Sequence, residues 1–184
     1  IESGTGGFVI NGSSEEERSG SVVSNAGDVN GDGFDDLIIG ISPFNYTSSS
    51  SSSNNKDTSG ISYVVFGKSD GNAVELSAVD SSNEGFSIHG VSERDYSGRS
   101  ISNAGDVNGD GLDDLIIGAS GDDPNGSSSG ASFVVFGQTD SNRIELSSVE
   151  AGSGGFVING VSSDDSGDNS GRSVSNAGDV NGDG

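Results

Sequence analysis

The chain contains no cysteine, no methionine and no tryptophan, and only one histidine and two prolines among its 184 residues. Without cysteine there is no disulfide framework, and the redox compartment stays open. One histidine and no thiol exclude cysteine–histidine catalysis, and no motif supports a Ser/His/Asp triad. The histidine, His89, stands where other copies of a repeated unit carry Asn11 and Asn159. That fits an exposed strand position rather than a general base, and the chain reads as a non-enzyme. Basic residues are also scarce: seven Lys and Arg face 29 Asp and Glu, for a net charge of −22. So acidic a surface argues against nucleic-acid or anionic-membrane partners, because both need positive charge. Hydrophobic residues make up only 29%, a low share for a globular domain. No apolar run is long enough to span a membrane, no stretch has the pattern of a convincing helix, and no signal peptide is visible. The chain begins at Ile1 rather than Met, which reads as an excised or incomplete piece.

Glycine is plentiful, with 32 residues, and serine accompanies it. The apolar residues are gathered into short runs such as Leu37-Ile-Ile39, Tyr63-Val-Val-Phe66 and Phe133-Val-Val-Phe136. Runs of this length bounded by Gly, Ser and Asp read as buried strands, so the chain is folded and not disordered. One decapeptide, Ser-Asn-Ala-Gly-Asp-Val-Asn-Gly-Asp-Gly, occurs three times, at Ser24–Gly33, Ser102–Gly111 and Ser175–Gly184. Its first Asp recurs at Asp28, Asp106 and Asp179.

Each repeated unit holds four strand candidates. The first precedes the decapeptide core, at Gly20–Ser24, Gly98–Ser102 and Gly171–Ser175. The second follows it, at Asp36–Gly40 and Asp114–Gly118; the third is Ile61–Gly67 and Ala131–Gly137. The fourth is Gly85–Gly90, matched by Gly7–Gly12 and Gly155–Gly160. Four short strands per unit with Gly at the joints predict an all-β fold of four-stranded antiparallel propeller blades. The expected organisation is a fourth strand and link over 1–19, a complete blade over 20–97, a second over 98–170, and the start of a truncated blade over 171–184. Two blades do not close a ring, so the piece is expected to be marginal alone and to sit beside the remaining blades of a parent propeller. The surplus residues fall in Ser-rich insertions, Asn45–Asn55 and Asp122–Gly130, and in the connectors Lys68–Glu84 and Gln138–Gly154, read as flexible polar segments. In an antiparallel blade the decapeptide loops and these connectors lie at one end. The insertions and the acidic links Ser13–Arg18, Ser92–Tyr96 and Ser162–Ser166 lie at the other.

Asp-x-Asn-x-Asp-Gly sets short oxygen ligands at every second position and then turns sharply. The first copy offers Asp28, Asn30, Asp32 and Asp36 with the main-chain carbonyl of Phe34. The second offers Asp106, Asn108, Asp110 and Asp114 with the carbonyl of Leu112. All-oxygen donors with three carboxylates favour Ca²⁺ over Zn²⁺ or Cu²⁺. The third copy holds only Asp179, Asn181 and Asp183, and should bind weakly or not at all. This is no EF-hand, because Ile39 and Ile117 stand where a Glu is needed and a strand follows the loop. The alternative without metal is a set of Asx-turns and glycines that merely caps a tight loop.

The stretch Asp-Val-Asn-Gly-Asp-Gly-x-Asp-Asp-Leu-Ile-Ile-Gly, followed by a Val-Val-Phe strand, resembles the FG-GAP repeat of the integrin alpha-subunit propeller. It is similar also to bacterial proteins built from tandem integrin-alpha-like repeats. The Phe-Gly of the family name is Ser97-Gly98 and Ser170-Gly171 here, and the Gly-Ala-Pro is Gly40-Ile-Ser42 and Gly118-Ala-Ser120. The resemblance implies a calcium-binding propeller module with structural Ca²⁺ in the loop between the first and second strands. It also implies an extracellular or cell-surface location and a role in adhesion to an unidentified protein or glycan ligand, without membrane insertion. Two other readings remain: the non-catalytic propeller of a larger secreted enzyme, and a carbohydrate-binding module, for which Tyr46, Tyr63 and Tyr96 are few aromatics to stack on sugars.

Overall fold

A computed structural model describes residues 6–13, 19–41, 59–161 and 167–178. The strands are β1 (Ile10–Asn11), β2 (Val22–Gly27), β3 (Asp36–Ile41), β4 (Ile61–Val65), β5 (Val74–Glu75), β6 (Gly85–His89), β7 (Ser100–Gly105), β8 (Asp114–Ala119), β9 (Ala131–Val135), β10 (Ile144–Glu145) and β11 (Gly155–Asn159). Two short helices, α1 (Val79–Ser82) and α2 (Leu146–Glu150), complete the set; a 3₁₀ turn over Leu76–Ala78 leads into α1.

The fold is all-β, and its two main sheets are built alike. In the first, β2, β3, β4 and β6 pair antiparallel in chain order. In the second, β7, β8, β9 and β11 do the same. Registers repeat with them: Ile38 faces Val64 as Ile116 faces Val134. These are the four-stranded blades expected from the repeat.

In the first sheet β3, β4 and β6 are largely buried on both faces, which is why they read as unbroken apolar runs rather than alternating ones, whereas β2 leaves Val23 exposed. One face supplies Ile38, Val64, Phe86 and Ile88 to a core shared with Ile101, Leu115, Ile117 and Phe133 of the second sheet. The other supplies Ile39, Ile41, Tyr63 and Val65 to a core closed by Val74, Leu76, Val79 and, at its edge, Phe8 and Ile10.

The connectors depart from expectation. Lys68–Glu84 and Gln138–Gly154 are not merely flexible polar segments. Each lays a short parallel strand along the fourth strand of the preceding unit, β5 on β1 and β10 on β6. Each then turns into a helix whose apolar side chains are buried: Leu76 and Val79 in one, Leu146 and Val149 in the other. Two apolar residues three apart sufficed to anchor a helical turn, too little for a periodic pattern. The first strands also differ, since β2 and β7 run into the decapeptide as far as Gly27 and Gly105. Only Ile10–Asn11 of the expected Gly7–Gly12 strand is a strand, and Gly171–Ser175 forms none. The Asn45–Asn55 insertion lies outside the described residues, as do most of the links Ser13–Arg18 and Ser162–Ser166.

Candidate metal centre

Each acidic loop starts from a bulge. The ladder between β2 and β3 slips between Asn25 and Gly27, and that between β7 and β8 between Asn103 and Gly105. The Asn side chain closes the bulge on itself: Asn25 Oδ1 accepts the Gly27 N–H and Asn103 Oδ1 the Gly105 N–H, both at 2.6 Å. Gly27 and Gly105 adopt φ of 75° and 73°, the left-handed conformation that such a bulge asks of glycine.

From there the chain wraps around its first carboxylate. Asp28 Oδ1 accepts the N–H groups of Gly31 (2.8 Å) and Asp32 (3.0 Å), and Oδ2 accepts that of Gly33 (2.9 Å). Asn30 Oδ1 accepts the Asp32 N–H, and Asp32 Oδ1 accepts the Phe34 N–H, both at 2.9 Å. The Asn30 amide donates to Asp32 Oδ2 at 3.0 Å. The second loop repeats every one of these bonds from Asp106 to Leu112.

Asp36 and Asp114 close the loops from the first residues of β3 and β8, and both are fully buried. Asp36 accepts the Val29 N–H at 2.9 Å and, from the end of the following hairpin, the Gly67 N–H at 2.7 Å. Asp114 does the same with Val107 and Gly137. Burial pushes the Asp36 carboxyl up to about 6. Its two N–H donors pull against that shift, and the charges of Asp32 and Asp28 add to it. Asp114 is raised by the same causes.

The structure thus brings Asp28, Asn30, Asp32, Phe34 and Asp36 into one loop, and Asp106, Asn108, Asp110, Leu112 and Asp114 into another. Asp179, Asn181 and Asp183 lie outside the described residues. Among the described residues, no three acidic or histidine side chains stand round one point closely enough to hold an ion. The carboxylates are turned onto backbone N–H groups instead. The donor chemistry nevertheless suits a hard cation. Every side-chain donor is oxygen, and each ligand residue keeps a spare lone pair: Asp28 Oδ1 and Asp106 Oδ1 already accept two N–H groups, but their Oδ2 atoms accept one each. A buried carboxylate beside two others is the electrostatic situation a divalent ion relieves.

A cleft beside the first loop is lined by Asn30, Asp32, Lys68, Glu84 and Asp140, so the loop and both connectors meet at one end of the sheets. Lys68 is engaged with the connector, 2.7 Å from Glu84 and 3.4 Å from Asp70. His89 is half-buried rather than exposed, with Nε2 3.0 Å from Ser87 Oγ. Ser87 also bonds Asp80 through both its hydroxyl and its N–H. The trio has the wrong order for a hydrolase, because the serine lies between acid and histidine and is itself buried. Of the three tyrosines, Tyr63 is buried, Tyr96 is half-buried and Tyr46 lies outside the described residues.

Sequence reasoning missed three parts of the site: the bulge asparagines, the Gly67 and Gly137 donors, and Asp113. Two of the three leave a mark in the repeat, though not one that names their partners. Ser-Asn-Ala-Gly recurs in all three copies, and the Asp-Asp doublets Asp35-Asp36 and Asp113-Asp114 recur in two, although only the second Asp of each was given a role.

Comparison with known families agrees with the repeat. Residues 19–65 and 97–135 match the model of the FG-GAP repeat. Each match opens just before the first strand of a sheet and ends with the third, spanning the acidic loop. A search of curated proteins found no match to the chain.

Proposed function

From the premise that this is an FG-GAP repeat protein, a β-propeller-type module, we propose that each acidic loop holds a structural Ca²⁺ and that the module serves ligand binding rather than catalysis. The observation that carries the reading is the repeated burial of Asp36 and Asp114 beside two further loop carboxylates. Asp28, Asn30, Asp32, the Phe34 carbonyl and Asp36 would hold the ion in the first loop, and the equivalent set from Asp106 to Asp114 in the second. A bound Ca²⁺ would neutralise the repulsion among these carboxylates and pin the long first turn of the blade. An extracellular or cell-surface setting suits this reading, since calcium sites of about 10⁻⁴–10⁻³ M affinity are filled there. No helix among the described residues is long and apolar enough to cross a membrane. The ligand would be a protein or glycan met through the loop-bearing ends of the blades, in an adhesive role.

Isothermal titration calorimetry of the whole chain with Ca²⁺, beside melts in excess chelator, tests this. The expected result is saturable binding to two loops and a melting temperature that falls in chelator. No heat of binding together with an unchanged melting temperature would overturn it.

A further inference from the structure

The first loop is held from the neighbouring sheet at its entry, the four residues Ala26–Val29. Asp113, the eighth residue of the second loop, accepts the Asp28 N–H on its Oδ2 at 2.9 Å and returns its own N–H to the Asp28 carbonyl at 3.1 Å. Asn103 Nδ2 donates to the Ala26 carbonyl at 2.7 Å, and the Gln138 N–H donates to the Val29 carbonyl at 3.0 Å. The seat is shaped to admit the carboxylate. A Cβ at Gly27 would stand 2.1 Å from Asp113 Oδ2 and 2.2 Å from Asn103 Nδ2, whereas at Gly105 nothing stands within 4 Å. Asp113 lies between Leu112 and Asp114, both in the ligand set of its own loop. An ion held by those two residues would fix its backbone, and its side chain holds the N–H of the residue on which the first loop is wound.

We propose that Asp113 is a positioning residue for the first loop, through which filling of one loop favours filling of its neighbour. This rests on the calcium reading above. The element that both loops bias is the Ala26–Val29 entry, docked on the second sheet or released from it. A coupling of this kind is reciprocal: whatever factor the second ion adds to the first loop's affinity, the first returns to the second. Asp35 occupies the same position in the first loop and is exposed, so it has no such part in holding Asp28.

The test is a Ca²⁺ titration of the full chain followed by backbone amide NMR, with Gly31 and Gly33 reporting the first loop and Gly109 and Gly111 the second. Asp113→Ala should weaken the first loop about tenfold, the scale of one charge-assisted hydrogen bond, and the second loop less. Asp113→Asn should restore most of the loss, because its Oδ1 can accept the Asp28 N–H. Asp35→Ala should leave the first loop within about twofold. An unchanged first loop in Asp113→Ala, or an equal loss in Asp35→Ala, would overturn the proposal. Hydrogen exchange at the Asp28 amide without added ion separates the two ideas. If the unmodified chain responds to Ca²⁺ in neither loop, the calcium reading and the coupling fall together. Exchange that Asp113→Ala does not speed overturns the docking of the loop itself.

Discussion

Val29 and Val107 are the same residue in two copies of one loop, yet Val29 is fully buried and Val107 is 50% exposed. Their local bonding is identical, since each donates its N–H to the carboxylate at the ninth position. What differs is the neighbour. The second sheet lies over the first loop, and Val29 joins the core shared between the sheets. Loop shape is therefore encoded within each repeat, whereas loop burial is supplied by the next one.

This difference sets unequal costs for the same substitution. Val29→Ala should destabilise the chain by about 2 kcal/mol, as expected for removing buried methyl groups. Val107→Ala should stay within about 0.5 kcal/mol, as for an exposed position. Urea unfolding of both variants measures the gap, and equal losses would mean that Val107 is covered in solution.

Calcium should shift stability by mass action. At about ten times the dissociation constant, one site adds roughly 1.4 kcal/mol. Asp106→Ala should abolish that gain at the second loop and leave the first loop's gain reduced rather than lost. Calorimetric melts across a range of Ca²⁺ concentrations distinguish this from a chain whose melting temperature ignores the ion.

The strands and acidic loops were legible because each is written locally, as an apolar run or as alternating oxygen donors closed by glycine. The connector helices were not. Leu76–Val79 and Leu146–Val149 each present two apolar residues, and turns so short do not hold alone; they form where β1 and β6 offer an edge. Nor could Asp113 be given its role from sequence, since its partner Asp28 lies 85 residues away. Within the loop, ligand spacing singled out Asp114 and left Asp113 as a spacer.

Asp95 predicts a pH dependence away from the metal loops. It is buried, with one carboxylate oxygen accepting the Ser92 N–H at 2.7 Å. Burial raises its carboxyl to about 6, the Ser92 N–H opposes the shift, and the charges of Asp122, Asp123 and Glu150 add to it. A folded-state value above the unfolded one means that the protonated form is favoured by folding. That contribution is fully present below about pH 3.8 and is lost as pH rises through about 6. Asp95→Asn removes the titration. Relative to the unmodified chain it should gain about 2 kcal/mol at pH 7.5 and much less at pH 4.5. Denaturant unfolding at the two pH values checks it, and a difference independent of pH would refute it.

Leu146 tests the connector. It is fully buried, it follows directly on β10, and β10 pairs with Ile88–His89 of the preceding unit. The side chain thus belongs to one repeat by sequence and helps seal the core between two. If the connector were a solvated link, Leu146→Ala would change stability by only a few tenths of a kcal/mol. Because it plugs a packed interior, the expected loss is about 3 kcal/mol. Hydrogen exchange should also quicken along β6 on the other side of the pairing, where Ile88 faces Ile144. Loss of protection confined to the connector, with β6 unchanged, would show that the parallel strand adds nothing to the unit it lies on. A loss shared by both would make the connector the clasp between successive blades.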